Sequence, residues 1–472
     1  MTLYLEDKPN DECGVFGIYG KGVDVAKYTY YGLYGLQHRG QESAGIAVSN
    51  GEKIELYKNL GLVSEVFDER ILSSLKGHIS VGHVRYSTTG SNSVINAQPL
   101  MFKYLQGSVA IAHNGNLTNA QKMRNSLAHN GSVFQSSSDT EIFINLIAQY
   151  GQDTIEDALM KCMIDIKGAY SLVIMTESKL IGVRDPHGVR PLCIGKRGDA
   201  YILSSESCAL DCIGADFIRD VEPGEIVIID DDGIRSSKPM TERKRALCVF
   251  ELVYVARPDS IIDGISVNKA RREMGKQLFR EFPIEADCVV PVPDSGIAAA
   301  IGYSEESGIP YKFGLMKNRY IGRTFIQPTQ ELRDIAVSLK LNPIREDLEG
   351  QKVVLVDDSI VRGTTSRKIV KMLRKAGVKE IHLMVSSPEI VFPCYYGIDT
   401  SDKSELIAAN MKLEEIRKSI GVESLHFISL DGMLSACERD PGDFCAACFN
   451  GKYPVEVTDQ NICKDELEGG KV

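Results

Sequence analysis

The chain has 472 residues, 43% of them apolar, with 54 basic against 64 acidic residues for a net charge of -10. Such a length buries a large core and is long enough for two or three domains, and the acidic balance argues against a sequence-independent grip on nucleic acid while leaving room for local phosphate pockets. No run approaches the roughly 18 consecutive apolar residues of a membrane span, and the opening MTLYLEDKPNDE has neither the basic start nor the apolar stretch of a secretory signal. A cytoplasmic protein is expected, with no nucleic acid or membrane as partner. The string KDEL at Lys464 to Leu467 is followed by GGKV and is not read as an ER-retention signal. Twelve cysteines in a reducing compartment point to a mixture of core residues, a nucleophile and metal ligands rather than to a disulfide framework. Cys162, Cys193, Cys208, Cys212 and Cys288 lie in apolar stretches and read as core, while Cys437 and Cys463 carry no clear signal.

From residue 13 to about 240, short β-branched or aromatic runs are broken by Gly, Asn or Asp: CGVFGIYG, SAGIAVS, IELYKNLG, ISVGHVRYST, VAIAHNG, AYSLVIM, KLIGVRD, AYILSSES and EIVIID. Helical segments such as EIFINLIAQYG lie between them, so the expectation is an α+β region of stacked antiparallel sheets with helices outside. The charged stretch Ser236 to Arg245 then marks a change of style. From Asp287 continuous apolar strands alternate with helices: DCVVPVPD with GIAAAIGYSEESG, QKVVLVDDSIV with TTSRKIVKMLRKAGV, then EIHLMVSSP. That pattern indicates an α/β unit whose parallel sheet is buried on both faces. Ile369, Leu373 and Ala376 fall at core spacing on its second helix. The acidic tail from Asp459 reads as disordered.

Four stretches of the first half carry chemistry besides Cys13: GLYGLQHRGQESAGIA (Gly32 to Ala47), GHVRYSTTG (Gly82 to Gly90), AHNGNLTN (Ala112 to Asn119) and SSSDTE (Ser136 to Glu141). An N-terminal cysteine carries its own base, because its α-amine has a pKa of about 7.7 to 8.0. Together with Cys13 these motifs resemble the N-terminal-nucleophile glutamine amidotransferases. The resemblance implies that Cys13 is the nucleophile once cleavage after Glu12 makes it N-terminal. It implies that Arg85 clamps the glutamine α-carboxylate, that Asp139 takes the α-ammonium, and that Asn114 and the backbone N-H of Gly115 form the oxyanion hole. Arg39 is expected to support the site's architecture, and His38, His83 and His113 to be structural, since the α-amine makes a histidine base superfluous.

In the second half VVLVDDSIVRGTTS (Val353 to Ser366) brings two carboxylates, Asp357 and Asp358, to a strand end before a Gly/Thr loop opens a helix. The helix start, Gly363 and the hydroxyls of Thr364 and Thr365 suit a phosphate monoester, and the acid pair suits a ribose diol or hydrated Mg2+. VVPVPDSGIAAA (Val289 to Ala300) adds Asp294, Ser295 and Gly296 at another strand end. These stretches resemble the type I phosphoribosyltransferases, which use 5-phosphoribosyl 1-diphosphate with Mg2+. The resemblance implies a substrate site that also includes Lys317, Ser359 and Arg362, with Mg2+ at Ser295, Asp357 and Asp358. Residues 317 to 346 resemble the family's closing loop, making Arg319, Arg323, Arg333 and Lys340 candidate phosphate contacts. Neither G-x-x-x-x-G-K-[ST] nor G-x-G-x-x-G occurs.

CAAC, Cys445 to Cys448, offers two thiolates in one turn, with Cys248 and Cys394 far away in sequence; spacing alone is a weak metal signal. Taken over nearly its whole length, the chain resembles the amidophosphoribosyltransferases. In the Bacillus-type branch a propeptide precedes the nucleophile and cysteines in these contexts ligate a [4Fe-4S] cluster. Residues 1–12 are therefore expected to be a propeptide, 13–240 the glutamine amidotransferase domain, 241–458 the phosphoribosyltransferase domain and 459–472 the tail. The implied cluster at Cys248, Cys394, Cys445 and Cys448 is structural or oxygen-sensing, since neither half-reaction moves electrons. The implied reaction converts glutamine, phosphoribosyl diphosphate and water into 5-phosphoribosylamine, glutamate and diphosphate, the first step of de novo purine synthesis. Purine nucleotides as feedback inhibitors and a homotetramer are implied by the same family. Two rivals share parts of the pattern: a glucosamine-phosphate synthase, against which VVLVDDSIVRGTTS argues, and a phosphoribosyl-diphosphate-sensing regulator, which would have no use for Cys13.

Overall fold

A computed structural model of the chain describes residues 13–86, 93–151, 154–238, 243–318, 341–400 and 402–458. Thirteen strands fill the first half: β1 Gly14–Tyr19, β2 Ser43–Ser49, β3 Ile54–Leu60, β4 Ile79–Arg85, β5 Leu100–Tyr104, β6 Gly107–Leu117 and β7 Gly168–Met175. They continue with β8 Leu180–Arg184, β9 Cys193–Arg197, β10 Ala200–Ser204, β11 Asp216–Asp220, β12 Ile226–Asp230 and β13 Gly233–Ser237. All pairings among them are antiparallel, in one sheet ordered β11-β9-β10-β1-β4-β2-β3 and another ordered β13-β12-β8-β7-β6-β5. Val15, Val81, Ala112, Val173 and Leu203 interleave between the sheets. Helix Val25–Gly35 packs Leu33 outside the first sheet near Phe16 and Val84. Helices Thr140–Tyr150 and Ile155–Asp165 set Ile142, Leu146 and Leu159 outside the second, against Ile111, Leu172 and Ile174. This is the expected arrangement of stacked sheets with helices outside. Because both faces are covered, β1, β2, β4 and β7 are buried at every position, which is why their sequences run apolar or small without alternation.

The second half holds a parallel sheet of four strands in the order Cys288–Pro291, Lys352–Asp357, Glu380–Val385 and Ser424–Phe427. Alternate residues serve two cores. Val289, Val354, Val356 and Met384 meet helices Val267–Glu281 and Ile297–Ser307, while Val290, Leu355, Ile381 and Leu383 meet Ile369, Leu373 and Ile416 on helices Thr364–Lys375 and Leu413–Ile420. The strand Ser424–Phe427 is too short and polar to stand out in the sequence. A two-residue parallel pair, Leu247–Cys248 with Phe444–Cys445, joins the start of this half to its end. Of the cysteines read as core, Cys162, Cys193, Cys208 and Cys288 are buried, but Cys212 is exposed. It is the last residue of the short helix Cys208–Cys212, whose first three residues turn inward and leave the end at the surface.

Candidate functional site

Cys13 precedes β1, which lies between β10 and β4, so its surroundings are set by the middle of a sheet. Its thiol donates to the Tyr86 carbonyl at 3.4 Å, and its own carbonyl accepts from Arg39 Nε at 3.1 Å. Burial pushes the Cys13 thiol up to about 11, with Arg85 pulling down and Asp139 and Glu42 pushing up. In the intact chain the Cys13 nitrogen is a peptide nitrogen, and the thiol is protonated at neutral pH. Arg85, at the end of β4, is buried within the electrostatic reach of Cys13, Glu42 and Asp139.

Asp139 sits at the N-terminus of helix Thr140–Tyr150, where the helix dipole favours an anion. Burial alone would raise its carboxyl, but His113 and backbone N-H bonds, including one from Leu117 at 3.1 Å, hold it below the ordinary range. His113 lies 3.5 Å from Asp139 and next to Asn114 on β6. Both amide atoms of Asn114 are buried without a hydrogen-bond partner among the described residues. A buried amide in that state is suited to a ligand's oxygen. Gly115 follows with φ +137°, and a Cβ there would stand 2.0 Å from the Ala169 carbonyl oxygen, so only glycine fits. His83 Nε2 donates to the His113 carbonyl at 3.0 Å, and burial drives its pKa down to about 3, leaving it neutral. His38 is tied to Glu206 at 2.7 Å.

At the carboxyl ends of the parallel strands a second group assembles. The Asp358 carboxylate accepts from the hydroxyls of Ser295 and Ser359, the latter at 2.6 Å, and its backbone N-H donates to Asp357 at 2.9 Å. Both acids are buried. The resulting set of carboxylate and hydroxyl oxygens is chemically suited to Mg2+. Asp294 pairs with Lys317 at 2.8 Å, and Gly296 caps helix Ile297–Ser307. Gly363, with φ +73°, caps helix Thr364–Lys375, where a Cβ would press on Ile407 at 2.8 Å; Thr364 and Thr365 form the first turn. Arg362, beside this loop, pairs with Glu405, with Nε at 3.1 Å. Arg319, Arg323, Arg333 and Lys340, the leader 1–12 and the tail 459–472 lie outside the described residues.

The strand pair sets Cys248 opposite Cys445. Cys445, Cys448 and Cys394 lie within one another's electrostatic reach, in apolar company that includes Phe250 and Phe449. Burial pushes Cys445 up to about 12 and lifts Cys448 well above the ordinary thiol value. Thiolates are the donors that an iron–sulfur cluster takes. As they stand, no three His, Cys, Asp or Glu side chains among the described residues meet the geometry for holding an ion.

The sequence reading named Arg39 as architectural but missed its partners in a buried ion group beside Cys13: Arg190, Glu206 and Glu251, all fully buried. A signal existed, because Glu251 is a lone acid in the apolar run ALCVFELVYVA, and buried charges come paired.

Residues 83–212 match the family model for a glutamine amidotransferase domain and residues 260–389 that for a phosphoribosyl transferase domain. The chain thus joins a glutamine amidotransferase to a phosphoribosyltransferase. It is 51% identical over 458 residues to the amidophosphoribosyltransferase of Bacillus subtilis, covering 96% of each chain, and 52% identical over 468 residues to that of Methanocaldococcus jannaschii, covering 95% and 99%. The glutamine phosphoribosylpyrophosphate amidotransferase of B. subtilis, solved with ADP and GMP, superposes with a TM-score of 0.90 at 51% identity, over 95% of this chain and 98% of that one. A structure described as the allosteric regulatory enzyme of purine biosynthesis gives 0.91 at 50% identity over the same shares. The chain belongs to the amidophosphoribosyltransferases, enzymes of purine biosynthesis. The phosphoribosyl transferase match sets aside the glucosamine-phosphate synthase, and the full-length kinship sets aside the regulator.

Proposed function

We infer that this amidophosphoribosyltransferase uses Cys13 as its glutaminase nucleophile and the Asp357–Asp358 strand end as its phosphoribosyl site. The observation that carries the reading is that Cys13 lies within the electrostatic reach of both Arg85 and Asp139, a cation and an anion suited to the two charges of a free α-amino acid. Cleavage after Glu12, removing residues 1–12 as a propeptide, frees the Cys13 α-amine. The amine takes the thiol proton, and the sulfur attacks the glutamine amide carbon, with Arg85 on the α-carboxylate and Asp139 on the α-ammonium. The Asn114 amide and Gly115 N-H donate to the oxyanion. Collapse expels ammonia and leaves a thioester, which water hydrolyses to glutamate. Ammonia passes internally, since in water at neutral pH it would protonate to unreactive ammonium, and displaces diphosphate at the ribosyl anomeric carbon.

For the second half-reaction Asp294, Ser295, Gly296 and Lys317, with Ser359, Arg362, Gly363, Thr364 and Thr365, hold the substrate's phosphates and ribose; Arg319 and Lys340 are assigned to it from sequence. Ser295, Asp357 and Asp358 would hold one Mg2+, which supplies charge neutralisation for the leaving diphosphate. Cys248, Cys394, Cys445 and Cys448 would hold a [4Fe-4S] cluster with a structural or oxygen-sensing role, as in the Bacillus-type branch. Feedback inhibition by purine nucleotides and a cytoplasmic homotetramer complete the reading; ADP and GMP in the B. subtilis relative support the former. The test is glutamine-dependent diphosphate release by anaerobically purified protein whose N-terminus has been sequenced as Cys13. Activity with ammonia but none with glutamine in that material would sink the assignment of Cys13.

A further inference from the structure

The buried ion group beside Cys13 is built across the two halves of the chain. Glu251 comes from the wide single turn Glu251–Val255, just after the strand that carries Cys248. It accepts from Arg39 at two points, Nη2 at 2.8 Å and Nη1 at 3.0 Å. The remaining Arg39 donor, Nε, holds the Cys13 carbonyl at 3.1 Å. Glu251 also pairs with Arg190 at 3.4 Å. Arg190 in turn donates to the Tyr396 carbonyl from Nε at 3.1 Å and Nη2 at 2.5 Å. The next residue, Gly397, has φ +124°, and a Cβ on it would stand 3.1 Å from Arg190 Nη2 and 3.4 Å from the Gly115 backbone. The loop held by Arg190 is therefore seated on Gly115.

One carboxylate thus anchors two guanidinium groups, one gripping the nucleophile residue and the other gripping the loop pressed on the glycine after Asn114. We propose that Glu251 is a positioning residue for the glutamine half-reaction, fixing the Cys13 main chain through Arg39 and the Gly115 segment through Arg190. Glu206 closes the group on its far side, bonding Arg39 Nη1 at 2.5 Å, His38 at 2.7 Å, Ser260 at 2.6 Å and the Arg257 N-H at 3.0 Å. Without the Glu251 carboxylate, Arg39 would keep Glu206 but lose its bidentate bracing, and Arg190 would lose its ion pair with Glu251. Small displacements of a reacting group cost rate more than binding, so the loss should appear in turnover rather than in affinity.

The proposal rests on the assignment of Cys13 as nucleophile, and Cys13→Ala tests that separately: continued use of glutamine there would overturn the assignment itself. In processed full-length protein, Glu251→Gln should lower kcat for glutamine hydrolysis about 10- to 100-fold. KM for glutamine should stay within about threefold and ammonia-dependent synthesis within about twofold, because Arg85, Asp139 and the Asp357–Asp358 end are untouched. Alkylation of Cys13 by a diazoketone analogue of glutamine should slow in step with kcat. Equal loss of both activities would make Glu251 a merely structural residue, and unchanged glutaminase turnover would overturn the proposal. Should Glu251→Gln fail to fold, Arg190→Lys, which keeps the charge and removes the fork, is scored on the same division between the two activities.

Discussion

Cys13 lies in a pocket that opposes its own ionisation, which makes the state of its backbone nitrogen decisive. With the thiol held up to about 11 by burial and the thiolate as the reactive form, alkylation of the unprocessed chain should rise about tenfold per pH unit from 7 to 9. If residues 1–12 are removed, the Cys13 α-amine would serve as base and the profile should level off near about pH 8. Alkylation rates on the two forms check this, and a plateau near neutral pH in the unprocessed chain would contradict it. Cys13→Ala should abolish use of glutamine and block removal of residues 1–12 while ammonia-dependent synthesis persists. Asp357→Ala with Asp358→Ala should do the reverse, removing both synthetic activities and sparing basal glutaminase; parallel assays with glutamine and ammonium separate the two cases.

At the scale of elements, β4 and β6 face each other across the two sheets and are linked by the His83 bond to the His113 carbonyl. The sign of the pH effect follows from its pKa, about 3 when folded against about 6.5 unfolded. Between those values the unfolded chain binds the extra proton, so stability rises with pH there and is lost as pH falls below 6.5. This one group contributes at most about 1.4 kcal/mol per pH unit. Denaturant melts at pH 5 and 7 should show the difference shrinking in His83→Gln. The cysteine strand pair makes its own prediction: anaerobic protein should carry roughly four iron and four sulfide per chain, and Cys445→Ser should lose both, whereas zinc would refute the cluster. The element level was also the most legible in sequence. Two-sided burial wrote β1, β4 and the parallel strands as apolar runs, and glycine-bounded turns marked their ends. Edge strands were unevenly legible: β3 stood out as IELYKNLG, whereas β13 did not, being almost wholly exposed.

At the scale of the whole molecule, the residues assigned to each half-site fall in contiguous motifs, with their donors a few residues apart in the sequence. The seam between the halves was not. Arg184 in β8 pairs at 2.7 Å with Asp263, and Arg190 reaches Tyr396, 206 residues away, through a backbone carbonyl that no side-chain pattern can advertise. The last described residues belong to this seam. Thr118 donates to the Glu456 carbonyl at 2.8 Å, Thr458 donates to the Thr118 carbonyl at 2.9 Å, and Tyr396 exchanges bonds with Val455. A chain stopped after Pro454 loses these four bonds and should be destabilised by about 2–6 kcal/mol at roughly 0.5–1.5 kcal/mol each, measurable by denaturant titration. These contacts also impose an order on synthesis. The strand bearing Asn114 and Gly115 is translated early, yet the segment that closes over its end emerges from the ribosome some 338 residues later. A half-made chain therefore holds the glutamine motifs without the contacts that Tyr396, Val455, Glu456 and Thr458 supply.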